Sequence, residues 1–183
     1  MSPPDEIQGA LRRLGRRGVR RWGSGRAVVA VTVVTVGGGP AVLLTRYAGS
    51  LGGHSAEFAL PGGRTDRWES ASSAGRRRLT EEFGMRLPPE SVLGLLDDYV
   101  TDTRFVITPV VFWGGEHDPA VGVLVVPFAD LDVEPVFVAS SESDRPVIRL
   151  PMHGGWLHAP TAAVLHQFRE VVLLRRRTRV AAC

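Results

Sequence analysis

The sequence predicts an α+β sandwich, with short strands alternating with two substantial helices in a chain of 183 residues. Three observations carry this. Ala27 to Val36 is rich in β-branched residues and is followed, across a glycine turn, by a second extended run, Ala41 to Arg46. Glu69 to Phe83 has Ser, Ala and Arg early and Gly84 as a stop, which reads as a helix. From Pro160 onward, Val164, Leu165, Phe168, Val171 and Val172 form one helical stripe.

In chain order, residues 5 to 14 carry a helical period that sets Ile7, Leu11 and Leu14 on one side. A Gly/Arg-rich stretch, 15 to 26, follows as a connector, so the expected organisation is an N-terminal helix and connector over 1–26 and a main domain over 27–183, one globular unit in all. Gly37 to Pro40 turns the first hairpin, and Glu57 to Leu60 is a short extended piece that ends at a Pro61-Gly62-Gly63 turn. After the Glu69 helix, Val92 to Val100 and Phe105 to Trp113 read as a strand pair, with Val123 to Val126 behind them. His153 and His158 flank Trp156 in a segment read as a surface loop ahead of the last helix, with acid/base groups on the opposite wall of a pocket as the alternative.

A hydrophobic content of 44% fills a single core. The longest apolar run, Ala27 to Val36, is about half the ~20 residues of a membrane span, and no charged leader with a long apolar stretch opens the chain. The single cysteine, Cys183, leaves no disulfide framework. A soluble cytoplasmic protein is the expectation. All basic side chains besides histidine are arginines, with clusters at Arg12 to Arg21 and Arg175 to Arg179. Without aromatic interleaving, and with a net charge of only +3, these read as solvated faces rather than a nucleic-acid surface.

Residues 63 to 85 carry the chemistry: Gly63, Glu69, Arg77, Leu79, Glu81, Glu82, Gly84 and Met85 fall without a gap on the pattern G-x5-E-x7-R-E-U-x-E-E-x-G-U, where U is bulky and apolar. This resembles the box of the Nudix hydrolase superfamily, with one departure: Arg78 stands where the pattern has a glutamate. Upstream, Leu43-Leu44-Thr45-Arg46, His54 and Leu60-Pro61-Gly62-Gly63 are similar to the coenzyme A diphosphatase branch. Leu96-Asp97-Asp98, Ile107 to Val111 and Val126-Pro127-Phe128 resemble that branch too. The resemblance implies an α/β/α sandwich around a mixed sheet and cleavage of a pyrophosphate in coenzyme A or related nucleoside diphosphates. It also implies Mg2+ or Mn2+ as cofactor and a small-molecule diphosphate as partner, with no membrane or nucleic acid involved; a homodimer is common in the family.

By position, the resemblance assigns metal to Glu81 and Glu82 and catalytic roles to Glu81, Glu82, Arg78, Glu57 and His54. Arg46, Gly62 and Gly63 would contact substrate, and Glu69 with Arg77 would tie the box together. A distal acidic position falls near Pro119 to Val121, where no acid stands; Glu116, expected in a loop, is the nearest replacement. The logic is electrostatic. Attack on a diphosphate requires its charge to be neutralised, and helix positions i, i+3 and i+4 present three ligands on one face. Here those positions are Arg78, Glu81 and Glu82, so Arg78 is expected to pair with one of the two glutamates and to weaken metal binding. Two alternatives stay open: a repurposed, metal-independent enzyme working by acid/base chemistry, and a ligand-binding module without catalysis.

Overall fold

The structure is a computed structural model, and it describes residues 2–20, 25–47, 57–101, 104–118, 120–140, 144–152 and 155–179, without the side chains of Tyr47 and Glu57. The elements are α1 (Pro3–Leu14), β1 (Arg26–Val36), β2 (Gly39–Tyr47), β3 (Glu57–Ala59), β4 (Gly62–Arg64), α2 (Ala71–Phe83), β5 (Val92–Leu95), β6 (Tyr99–Val100), β7 (Val106–Glu116), β8 (Val123–Pro127), β9 (Val136–Val138), β10 (Val147–Met152), β11 (Gly155–His158) and α3 (Thr161–Phe168). A π-helical turn, Arg169–Leu173, prolongs α3.

β1 is the organising strand. It pairs antiparallel with β2 at its end and with β4 at its start, and parallel with β7 along its length. Its alternation explains the three layers. Val29, Val31 and Val33 face a core shared with α1 and α3, whereas Val28, Ala30 and Val34 face a second core under α2. The expected mixed-sheet α/β/α sandwich is therefore present. β1 turns into β2 through Gly37 and Gly38 alone, both at positive φ (57° and 82°). That is a two-residue turn matched to the twist of a hairpin, with Pro40 already inside the strand opposite Thr35.

Four expectations are corrected. The helix of the box begins at Ala71, because Ser70 caps it by accepting from the Ser73 N–H, and Glu69 stays in the preceding loop. Gly62-Gly63 is the start of a strand rather than a turn, pairing with Val29 and Val28. The 92–100 run is two strands, β5 and β6, split at Leu96-Asp97-Asp98. Ahead of the last helix, residues 155–158 are not a loop but β11 of a separate three-stranded sheet, β11-β10-β9, in which His158 lies opposite Arg149, while His153 lies outside the described residues.

The arginine-rich ends are also more than solvated faces. α1 buries Ile7, Leu11 and Leu14 in the core, each stabilising by about 1.5–3 kcal/mol. Beyond it Arg16 pairs with Asp98, which is 1% exposed and also accepts from the Val19 N–H and the Thr108 hydroxyl. Arg179 binds the neighbouring carboxylate of Asp97 at 3.0 Å and the Leu14 carbonyl at 2.7 Å, and Arg175 binds Glu6. Two adjacent buried aspartates thus hold segments from both ends of the chain. Arg12, Arg13 and Arg17 remain exposed.

Candidate functional site

The site is built where β4 meets α2. The chain leaves β3, which is paired to β2, and steps through Leu60 and Pro61 onto the edge of β1. Two contacts fix the step: the Thr161 hydroxyl accepts from the Leu60 N–H at 3.2 Å, and the Pro61 carbonyl accepts from the Ala30 N–H at 2.8 Å. Glycine is required at 62, because a Cβ there would collide with the Val28 carbonyl and lie 2.9 Å from Val29 Cγ1. Across the gap, Gly75 lets α2 lie directly on the Phe112 ring of β7.

Five charged groups of α2 and its leading loop then converge. Arg77 grips the Glu69 carboxylate with Nε at 3.0 Å and Nη2 at 2.8 Å, and reaches Glu81 through Nη1 at 3.2 Å. The hydrogen bonds from Arg77, together with the Asp66 N–H, lower the Glu69 pKa to about 2 against the desolvation that would raise it. Arg77 in turn is held above its ordinary value by Glu69 and then Glu81. Arg78 gives Nη1 to the other oxygen of Glu81 at 3.1 Å. Among the described residues Glu82 takes no arginine; its Oε1 accepts the Gly62 N–H at 3.0 Å, which bridges helix and strand. Although Glu82 is exposed as a residue, partial desolvation of its carboxylate raises its pKa, opposed by the Gly62 N–H and the charge of Arg78.

Of the residues singled out in the sequence, Gly62, Gly63, Glu69, Arg77, Arg78, Glu81 and Glu82 come together here. Arg46 is exposed on β2 opposite Phe58, and none of its described contacts joins it to the box. Glu57 opens β3, with its side chain outside the description, and His54 lies outside the described residues altogether. Glu116 is not in a loop but ends β7, opposite Thr35, beside a polar hollow lined by Thr35, Gly37, Gly38, His117 and Asp118. Gly62 pairs at Val29, and the six residues from there to Thr35 span ~20 Å at about 3.3 Å each. Glu116 therefore cannot replace a ligand at the box. The sequence reading missed Thr161, which pins the strand ahead of the box; nothing in its local sequence distinguishes it from a helix-start threonine.

The donor set does not fit the three-carboxylate metal site of a complete box. Position 78 is a cation, both oxygens of Glu81 are held by guanidinium groups, and Glu82 is tied to the backbone. Among the described residues no cluster of three or more His, Cys, Asp or Glu could hold a metal ion, and no helix is long and apolar enough to cross a membrane.

A three-layer sandwich whose glycine-edged strand abuts a helix of paired glutamates and arginines is the architecture of a Nudix-box protein. A profile of the NUDIX domain matches residues 24–146, and the chain belongs to that family. It is 33% identical over 95 residues to the human mitochondrial coenzyme A diphosphatase NUDT8, across 51% of this chain and 40% of that protein. It is 36% identical over 74 residues to the uncharacterized Nudix hydrolase NudL of Cronobacter sakazakii, across 39% of this chain and 38% of that one. Nudix hydrolase 3 of Caenorhabditis elegans is 33% identical over 84 residues, covering 45% and 35% respectively. The matched region thus spans 35–40% of the length of these relatives. Among solved structures, the Nudix hydrolase RenU of M. smegmatis shares the fold with a TM-score of 0.50 at 23% identity, over 85% of this chain and 91% of that one.

Proposed function

We propose that the protein is a Nudix-type hydrolase that cleaves the pyrophosphate linkage of coenzyme A-like or other nucleoside diphosphate substrates, with weakened dependence on Mg2+ or Mn2+. The observation that carries this reading is the bridge from the Gly62 N–H to Glu82, which brings a carboxylate of α2 to the glycine-edged strand β4. The upstream Leu43-Leu44-Thr45 and Leu60-Pro61-Gly62-Gly63 motifs, and the likeness to a protein named as a coenzyme A diphosphatase, support the substrate class.

In the reaction, water adds to one phosphorus and the P–O bond to the bridging oxygen breaks. The bridging oxygen leaves with the other phosphate, and the proton lost by water is taken by a carboxylate. Glu82 serves as that acceptor: it is the box glutamate without a guanidinium partner, and raised proton affinity makes a carboxylate a better base. Glu69 and Arg77 hold the loop and helix in register, and Arg77 and Arg78 restrain Glu81.

Coenzyme A, acyl-coenzyme A, ADP-ribose and NADH, each incubated with Mg2+, with Mn2+ or with EDTA and resolved by chromatography, test the proposal. The expected products from coenzyme A are phosphopantetheine and adenosine 3′,5′-bisphosphate. Failure to cleave any of the four under all conditions sinks the hydrolase reading. It would favour the second one, a ligand-binding Nudix module, to which the double capture of Glu81 by arginines lends support.

A further inference from the structure

We propose that Arg78 makes the box an anion site in its own right, taking a phosphate group of the ligand directly, so that diphosphate binding needs no divalent ion. The inference rests on reading this site as the diphosphate site. Three features carry it. The first is charge: an arginine in place of a glutamate changes the local charge by two units, from −1 to +1, which equals the charge of one Mg2+. The helix thus carries covalently what a complete box must recruit from solution.

The second is position. The guanidinium lies flat against Gly63, so closely that a Cβ on residue 63 would fall 2.8 Å from Nε and closer still to Cζ and Nη2. Only glycine admits it, and this seats the cation on the strand edge rather than out in solvent; 28% of the side chain is exposed. The third is an unused donor. Nη1 is engaged by Glu81, whereas Nε is buried with no hydrogen-bond partner among the described residues. A buried donor without an acceptor costs about 1–3 kcal/mol. The Nε–Nη2 edge is the one a guanidinium offers to phosphate in a two-pronged contact, and a ligand phosphate would give Nε the acceptor it lacks. Metal and Arg78 also compete, since an ion on Glu81 must displace two guanidinium groups.

Calorimetric titration of inorganic pyrophosphate in EDTA tests this with wild type, Arg78→Ala, Arg78→Lys, Arg78→Glu and, as a control for diffuse positive charge, Arg12→Ala. Wild type and Arg12→Ala should bind alike. Arg78→Ala should lose about tenfold to a hundredfold in affinity, the worth of a charge-assisted hydrogen bond. Arg78→Lys, a point charge without the fork, should fall between, and Arg78→Glu should bind pyrophosphate only when Mn2+ is added. Thermal melts of each variant confirm folding, and the lysine variant carries the test should the alanine variant not fold. Binding by wild type only with metal overturns the inference, as does equal loss in Arg12→Ala or none in Arg78→Ala. Pyrophosphate binding in EDTA without cleavage of any nucleotide leaves the inference standing and removes the hydrolase reading; metal-dependent cleavage with no binding in EDTA does the reverse.

Discussion

Replacing Gly75 by alanine sets two effects of opposite sign against each other. In an ordinary helix the change stabilises, because alanine restricts the unfolded chain; the gain is about 0.5–1 kcal/mol. Here the new methyl would lie 2.7 Å from Cζ and 2.8 Å from Cε2 of Phe112, well inside ordinary contact distance. Phe112 is fully buried in β7, and Val28 of the neighbouring strand lines the same spot, so the ring has little room to retreat. Overpacking of a closed core costs about 1–3 kcal/mol, and it should win by roughly 0.5–2 kcal/mol. For a domain of this size, each kcal/mol moves Tm by about 2–4 °C. A fall of ~1–8 °C is therefore expected in a thermal melt followed by circular dichroism. Function should suffer as well, since lifting α2 off β7 carries Arg77, Arg78, Glu81 and Glu82 away from Gly62 and Gly63 as one body. Adding Phe112→Leu should return part of the loss, because it vacates the space the methyl needs. A Gly75→Ala protein that melts at or above the wild-type temperature would refute the reasoning, for it would mean that helix propensity outweighs the contact.

The remaining predictions concern charge. Glu69 has a folded pKa of about 2 against 4.5 for the ordinary group, so its contribution is present above pH ~4.5 and is lost as pH falls toward 2. After discounting for solvent screening of a partly exposed pair, that contribution is about 1 kcal/mol. Urea midpoints should show Glu69→Gln weaker than wild type at pH 6 and the gap narrowing by pH 3; a constant gap counts against it. Asp97→Ala removes the acceptor of Arg179, of the Gln167 amide and of the Arg17 N–H. Losing either partner should cost about 3–5 kcal/mol by urea unfolding, because Arg179→Ala leaves the buried Asp97 charge without its cation and Asp97→Ala strips three donors of their acceptor; a loss below about 1 kcal/mol in either variant would contradict this. Gly63→Ala should leave stability within about 1 kcal/mol, since the obstacle is the far end of a flexible side chain. It should nonetheless abolish metal-free pyrophosphate binding, because the methyl takes the seat of the Arg78 guanidinium.

What could be read from the sequence was what repeats at short range. The hairpin of β1 and β2 follows from β-branched residues around glycines, and the box helix from its caps and fixed spacing. The rest depended on partners far along the chain. Gly62-Gly63 has the composition of a turn, and only the edge of β1 makes it a strand. β9, β10 and β11 have three to six residues each and pair only with one another, so each alone lacks a telling period. Asp97 and Asp98 look like a polar loop until Arg179 and Arg16, about 80 positions away, close on them. Within the site, Arg78, Glu81 and Glu82 could be placed on one helix face in advance. That Glu81 rather than Glu82 receives both arginines followed from where the backbone of β4 lies, which no spacing rule encodes.

The parallel pairing of β1 with β7 has a consequence for how the protein is made. Val28 sits beside Thr108, 80 residues later in the chain (108 − 28). At a synthesis rate of about 5–20 residues per second, ~4–16 s pass between the emergence of the two. During that time β2 can close one edge of β1, but the other stays bare along the run Val28-Val29-Ala30-Val31-Thr32-Val33-Val34. An uncharged β-branched segment of this kind is a template for intermolecular strand addition. The strand that organises both cores of the folded molecule is thus the hazard of its youth. Conditions that slow bimolecular encounter during synthesis, such as low temperature and weak induction, should raise soluble yield more than any substitution on the finished surface.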